Sequence, residues 1–273
     1  MPKFPRLRSR KQQKTQTPVP SDTIPDEGHE LRMGIFDHLE ELRQRFVKAF
    51  LALIVCTFGA FWVTTPVLDY LREPYCRAVE QSSQCELVIL GPTGGIVSFF
   101  RVSLTLGMIV AIPMVTYQML MFIMPGMTRK ERRVIYWSLP AVTILFVIGV
   151  TFAWFILMPP ALGFLEGFQP ALFKPEWTAE LYLNFVSTLT LWMGVAFETP
   201  LVFFVLSLLG MVTAGPLIRN WRFAVVGAAI AAALITPTVD PINLFLVMGP
   251  LLVLYVISIF LVMIGRRIGG HNS

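Results

Sequence analysis

Three carboxylates stand out by their surroundings: two lie among cations and one among apolar residues. Glu131 sits in Thr128-Arg129-Lys130-Glu131-Arg132-Arg133, and Glu41 in His38-Leu39-Glu40-Glu41-Leu42-Arg43-Gln44-Arg45. A carboxylate framed by cations makes a small negative spot that can take a guanidinium through charge-assisted hydrogen bonds. Both have simpler readings. Thr128 and Glu131 have capping-box spacing, and Glu41 with Arg45 makes a helix-supporting i,i+4 pair. Glu198, in Gly194-Val195-Ala196-Phe197-Glu198-Thr199-Pro200, is the third. It lies deep in an apolar stretch, where an ionisable group costs roughly 2.5–3.5 kcal/mol to insert and signals function by default. The alternative is a protonated acid hydrogen-bonded inside a helix bundle. Pro200 loosens the backbone beside it and could admit water or a partner.

Other chemistry finds little support. His29, His38 and His271 all fall outside the apolar stretches, and no Cys/His metal spacing, phosphate loop or nucleophile–base pattern occurs. No metal, cofactor or catalytic residue is expected. Cys56 lies in an apolar stretch and reads as a small apolar residue. Cys76 and Cys85 fall in one loop; they fit a disulfide if the compartment is oxidising, or two free thiols, since spacing does not fix geometry.

Helices in a membrane must position these groups. Of 273 residues, 55% are hydrophobic and only 14% charged, with mean hydropathy +0.66; a soluble domain carries about 25% charged residues. Six apolar windows follow, at 49–68, 102–128, 134–165, 181–209, 223–239 and 241–265. A span takes about 20 residues. The helical part of the fifth window, 223–235, covers only about 20 Å, which implies local thinning or tilt. Of 22 lysines and arginines, all but Arg72, Arg77, Arg101 and Lys174 fall on one face of this topology. By the positive-inside rule that face, with both termini, is cytoplasmic. The net charge of +5 then reflects topology, with no need of nucleic acid.

Along the chain, 1–31 reads as a disordered basic tail, 32–268 as the membrane domain and 269–273 as a short cytoplasmic tail. Residues 36–46 carry an apolar stripe and are expected to lie along the interface before turning into the membrane. The loop 69–95, with Pro74 and Pro92, is expected to form an ordered cap. Pro113 should bend the second span, where Gly107 and Ala111 offer small faces for close packing. Pro125-Gly126 marks the following turn.

Several of these features together resemble the TatC family, the multispanning subunit of the twin-arginine protein translocase. The matching residues run from 36 to 240. His38-Leu39-Glu40-Glu41-Leu42-Arg43-Gln44-Arg45 is similar to the family's N-terminal signature, and Pro74 to its loop proline. Ala111-Ile112-Pro113, Tyr117-Gln118, Phe122 and Pro125-Gly126 match its second span and loop. Lys130-Glu131-Arg132-Arg133, Phe197-Glu198-Thr199-Pro200 and Thr236-Pro237-Thr238-Val239-Asp240-Pro241 match three later motifs.

The resemblance implies an all-α integral membrane protein of the bacterial inner membrane, with six helices in a concave bundle and short fifth and sixth helices. It implies a receptor for paired-arginine signal peptides of folded precursors, with Glu41, Arg43, Phe122 and Glu131 at the binding site. Export would be driven by proton-motive force, with TatA- and TatB-like single-span partners, lipid contact and self-association in the receptor complex. Glu198 would meet partner helices, and Asp240 matches a residue at the outer end of the last pair. Leu244 and Tyr255-Val256 depart from the family's Gln and Tyr-Glu, so Thr236 and Asn243 remain the polar candidates for partner contact. The rival from another class is a proton-coupled small-solute transporter using Glu198; lack of repeats and paired broken helices counts against it.

Overall fold

The computed structural model describes residues 35–78, 87–124, 129–169, 177–236 and 240–268. The two tails, Cys85, Pro125, Thr128 and 237–239 lie outside them. Among the described residues the chain is nearly all helical. Five helices are long and apolar enough to cross a membrane, and a sixth apolar helix is shorter.

The first helix, α1 (Ile35–Leu71), has 37 residues, about 56 Å at 1.5 Å per residue. Residues 36–46 therefore do not lie apart at the interface; they form one unbroken helix with the first span. The sequence explains this, because no glycine or proline occurs from 35 to 58. After α2 (Glu73–Ala78), α3 (Gly94–Ile123) forms the second span and continues through Pro113. The third span joins α4 (Arg129–Phe152), a π-helical segment Ala153–Leu157 and α5 (Met158–Glu166). Pro159 and Pro160 lack the N–H groups that Phe155 and Ile156 would accept from in an α-helix, which favours the wider turn there.

The fourth window is two helices, α6 (Ala179–Phe197) and α7 (Thr199–Leu208), parted at Glu198. A short α8 (Ala214–Arg219) leads into α9 (Trp221–Ile235) and α10 (Pro241–Ile268). The fifth helix is short, as expected, with 15 residues. The sixth is not: α10 has 28 residues, about 42 Å, so the short pair implied by resemblance is one short helix beside one long one.

Small residues and hydroxyls set the close crossings, as lipid offers no hydrophobic drive between helices. A Cβ on Gly107 would meet the Thr57 backbone, so α3 lies directly on α1. Nearby, Thr64 and Ser103 share a 2.7 Å hydrogen bond across the pair. Gly265 meets Ser207 where α10 crosses α7. The main core gathers α3, α6 and the π segment around Val102, Leu157, Leu189 and Met193. The described part of the loop after the first span is packed as a cap. Tyr75 of α2 is buried against Trp177 and Tyr182, and Tyr182 donates to the Leu71 carbonyl at 2.7 Å. A parallel bridge joins Val88 to Thr178.

Candidate functional site

Glu41, Phe122 and Glu131 come to the same end of the bundle. The start of α1 reaches the end of α3, where the His38 ring stacks on Phe122 with centroids 4.4 Å apart. One turn on, Glu41 Oε1 accepts from Arg45 Nε at 2.9 Å and from Nη2 as well. The side chains are only 17% and 20% exposed, and Glu41 Oε2 is buried without a hydrogen-bond partner. The expected i,i+4 pair thus exists, and it occupies one oxygen of the candidate receptor acid. Arg43 points outward, 73% exposed, and donates to Glu40 at 2.6 Å. Glu131 lies in the first turn of α4, where acids favour the helix dipole, and it is 7% exposed. Its face continues through the buried Ile135, Ser138 and Val142. Beside it, Arg132 Nε donates to the Met124 carbonyl at 3.1 Å and stitches α4 to the end of α3.

Glu198 occupies the break between α6 and α7. Its backbone N–H still bonds to Val195 and its carbonyl accepts from Leu201 and Val202. Pro200, in the first turn of α7, leaves one fewer orphan donor at that terminus. The carboxylate therefore sits where the positive end of the α7 dipole favours it. Thr116 of α3 donates to Oε2 at 3.1 Å, and Oε1 is buried with no partner. Gly149 lets the third span approach the backbone of Met193 and Gly194 just before this break.

The remaining candidates are structural in their observed contacts. Asp240 caps α10, accepting from the Asn243 N–H at 2.7 Å and from its Nδ2 at 3.0 Å, with Pro241 beginning the helix as capping favours. Thr236 donates to the Ala232 carbonyl at 2.8 Å. Thr236 and Asn243 are 4% and 1% exposed, so neither presents its side chain on the outer surface. Pro74 sits in the first turn of α2. Cys76 is disulfide-bonded and Cys56 is free; Cys85, the expected partner, lies outside the described residues.

Sequence reasoning missed Thr116 and the role of His38 as a ring partner. Thr116 gives no signal in the sequence, since 82 positions separate it from Glu198. His38 did carry one, by opening the motif that contains Glu41.

These features define a multi-pass helical membrane protein with an acid-bearing polar cluster at one end and a carboxylate at one broken span. The chain belongs to the TatC family, described as Sec-independent protein translocase protein (TatC), which matches residues 37–250. It is a subunit of the twin-arginine translocase and a transport component, not an enzyme. A TatC protein from Koribacter versatilis is 34% identical over 229 residues, covering 83% of this chain and 84% of that protein. The chloroplastic protein from Pisum sativum is 31% identical over 246 residues, covering 90% and 67%. A crystal structure described as the twin arginine translocase receptor TatC aligns with a TM-score of 0.76 at 34% identity, covering 84% of this chain and all of that one.

Proposed function

We propose that this chain is the receptor subunit that reads paired-arginine signal peptides of folded precursors, at the end where Glu41, Phe122 and Glu131 lie. In this reading that end and both termini are cytoplasmic, in a bacterial inner membrane, as the Lys/Arg distribution supports. The observation that carries the reading is the His38–Phe122 stack, which brings the Glu41 turn of α1 to the end of α3. An incoming guanidinium competes with Arg45 for Glu41 and finds a second carboxylate at Glu131, while Phe122 offers a ring to the peptide. Arg43 is exposed and stands beside this surface. Glu198, with one buried oxygen lacking a hydrogen-bond partner, is the contact for TatA- and TatB-like helices, and proton-motive force drives the later steps. The burial of Thr236 and Asn243 gives them a supporting role, at the end of α9 and in the first turn of α10. A disulfide between Cys76 and Cys85 completes the outer cap.

The test is photocrosslinking of a twin-arginine signal peptide from probes at 129 and 130, with the full-length chain in membranes. Replacing the peptide's arginines by Lys-Lys should cut crosslinking about tenfold, or ~1.4 kcal/mol, because lysine lacks the bidentate fork. Equal crosslinking of both peptides would falsify the arginine-reading role.

A further inference from the structure

α8 and the start of α9 meet α10 well short of its end. Gly265, close to the end of α10, lies against Ser207 at the end of α7. By Leu217 the chain has come back along α10, because Tyr255 donates to the Leu217 carbonyl at 2.8 Å. From Tyr255, α10 runs on to Ile268, about 20 Å further. α9 has 15 residues, so it reaches about as far as the stretch from Pro241 to Tyr255, roughly 22 Å. Past Tyr255 the surface of α10 stays apolar and exposed at Val256, Phe260, Met263 and Ile264, until Arg266-Arg267. Beside this apolar length stand two exposed arginines, Arg219 at the end of α8 and Arg222 in the first turn of α9.

We propose that Arg219 and Arg222 hold the phosphate of an anionic phospholipid, whose headgroup is drawn in beside α10 to the level of Tyr255. Neither arginine pairs with a carboxylate among the described residues. The sequence offers them none nearby: after Glu198 the only acid is Asp240, which caps the opposite end of α10. Charge therefore selects an anion. Two guanidinium groups suit a phosphodiester, whose oxygens accept their forked N–H donors. Position selects a lipid as the carrier of that anion. A cation level with apolar helix surface is costly unless a headgroup or water reaches it. A phospholipid meets both demands, with its chains on the apolar side chains of α10 and its head at the arginines. The neighbours fit the same boundary. Trp221 and Phe223 are 56% and 78% exposed, and Arg222 lies 6.0 Å from the Trp221 ring centroid, an amphipathic ring of the kind that anchors at headgroup level. Glu41, Phe122 and Glu131 take no part, so the outcome leaves the signal-reading proposal untouched.

The experiment is native mass spectrometry of the purified full-length chain, offered phosphatidylglycerol or phosphatidylethanolamine with the same acyl chains. The glycerol lipid should be retained about fivefold more. Arg219→Gln with Arg222→Gln should abolish that preference at an unchanged unfolding temperature. Arg72→Gln with Arg77→Gln, an equal loss of charge at the other end, should keep it. Equal retention of the two lipids by the parent chain, or equal loss in the two double variants, overturns the site. Free glycerol phosphate or a glutamate-rich helical peptide at matched concentration should not displace the lipid. Displacement would assign the arginines to a soluble phosphate or to a protein and overturn the lipid. Depth is read separately with nitroxides at Asn220→Cys and Ile264→Cys, in Cys56→Ala protein in liposomes. A water-soluble nickel chelate should relax the label at 220 more than the one at 264; the reverse order means that α8 is not recessed and sinks the proposal.

Discussion

Glu198 and Glu41 show how a carboxylate is kept inside a protein with half of its hydrogen bonding unmet. Each has one oxygen served, by Thr116 and by Arg45, and the other buried without a partner. An unmet buried oxygen is costly, and a partner that brings a donor recovers that cost on binding. Thr116→Val keeps the side-chain shape and removes the one donor that reaches Glu198 among the described residues. It should destabilise the detergent-purified chain by about 1–3 kcal/mol, read as a lower unfolding midpoint, while Thr116→Ser stays near the parent. Equal midpoints for the two variants would show that Glu198 does not depend on this hydroxyl.

Among elements, the α1–α3 crossing is exacting, because a Cβ on Gly107 would meet the Thr57 backbone as well as its hydroxyl. A Cβ there would come within 2.5 Å of Thr57 Cα, so Gly107→Ala must push the helices apart. Overpacking of this kind costs about 1–3 kcal/mol. Gly59 sits in the same helix pair with nothing within 4 Å of its would-be Cβ. Gly59→Ala should therefore be neutral or stabilising by up to about 1 kcal/mol through helix propensity. Thermal unfolding of both variants in one detergent checks the contrast; similar shifts would mean the crossing is looser than drawn.

At the scale of the whole molecule, the apolar height is uneven. α9 has 15 residues beside the 28 of α10, so α9 reaches about 22 Å of a roughly 30 Å hydrocarbon core. Such a mismatch calls for local thinning or tilt of the neighbouring helices, at fractions of a kcal/mol per Å. The chain reconstituted in nanodiscs should unfold at a higher temperature in short-chain lipid than in long-chain lipid. Inserting Ala-Leu-Ala-Leu after Ala231, about 6 Å of helix, should move the preference towards thicker bilayers. A parent chain indifferent to thickness would argue against mismatch at α9.

Hydropathy and motif order were enough to read the spans, the short fifth helix, the Glu41–Arg45 pair and a loosened backbone beside Glu198, though not the division of that span into two helices. Each is set by neighbours in the chain or by depth in the bilayer, and both leave a local trace. The unbroken run of 36–46 into the first span was written there too, in the absence of a breaker, though the amphipathic stripe pointed elsewhere. Which faces meet was decided only by tertiary structure. Spans apolar all round carry no periodic mark of their buried side, so nothing local could pair Thr116 with Glu198 or His38 with Phe122. The same blindness concealed the burial of Thr236 and Asn243.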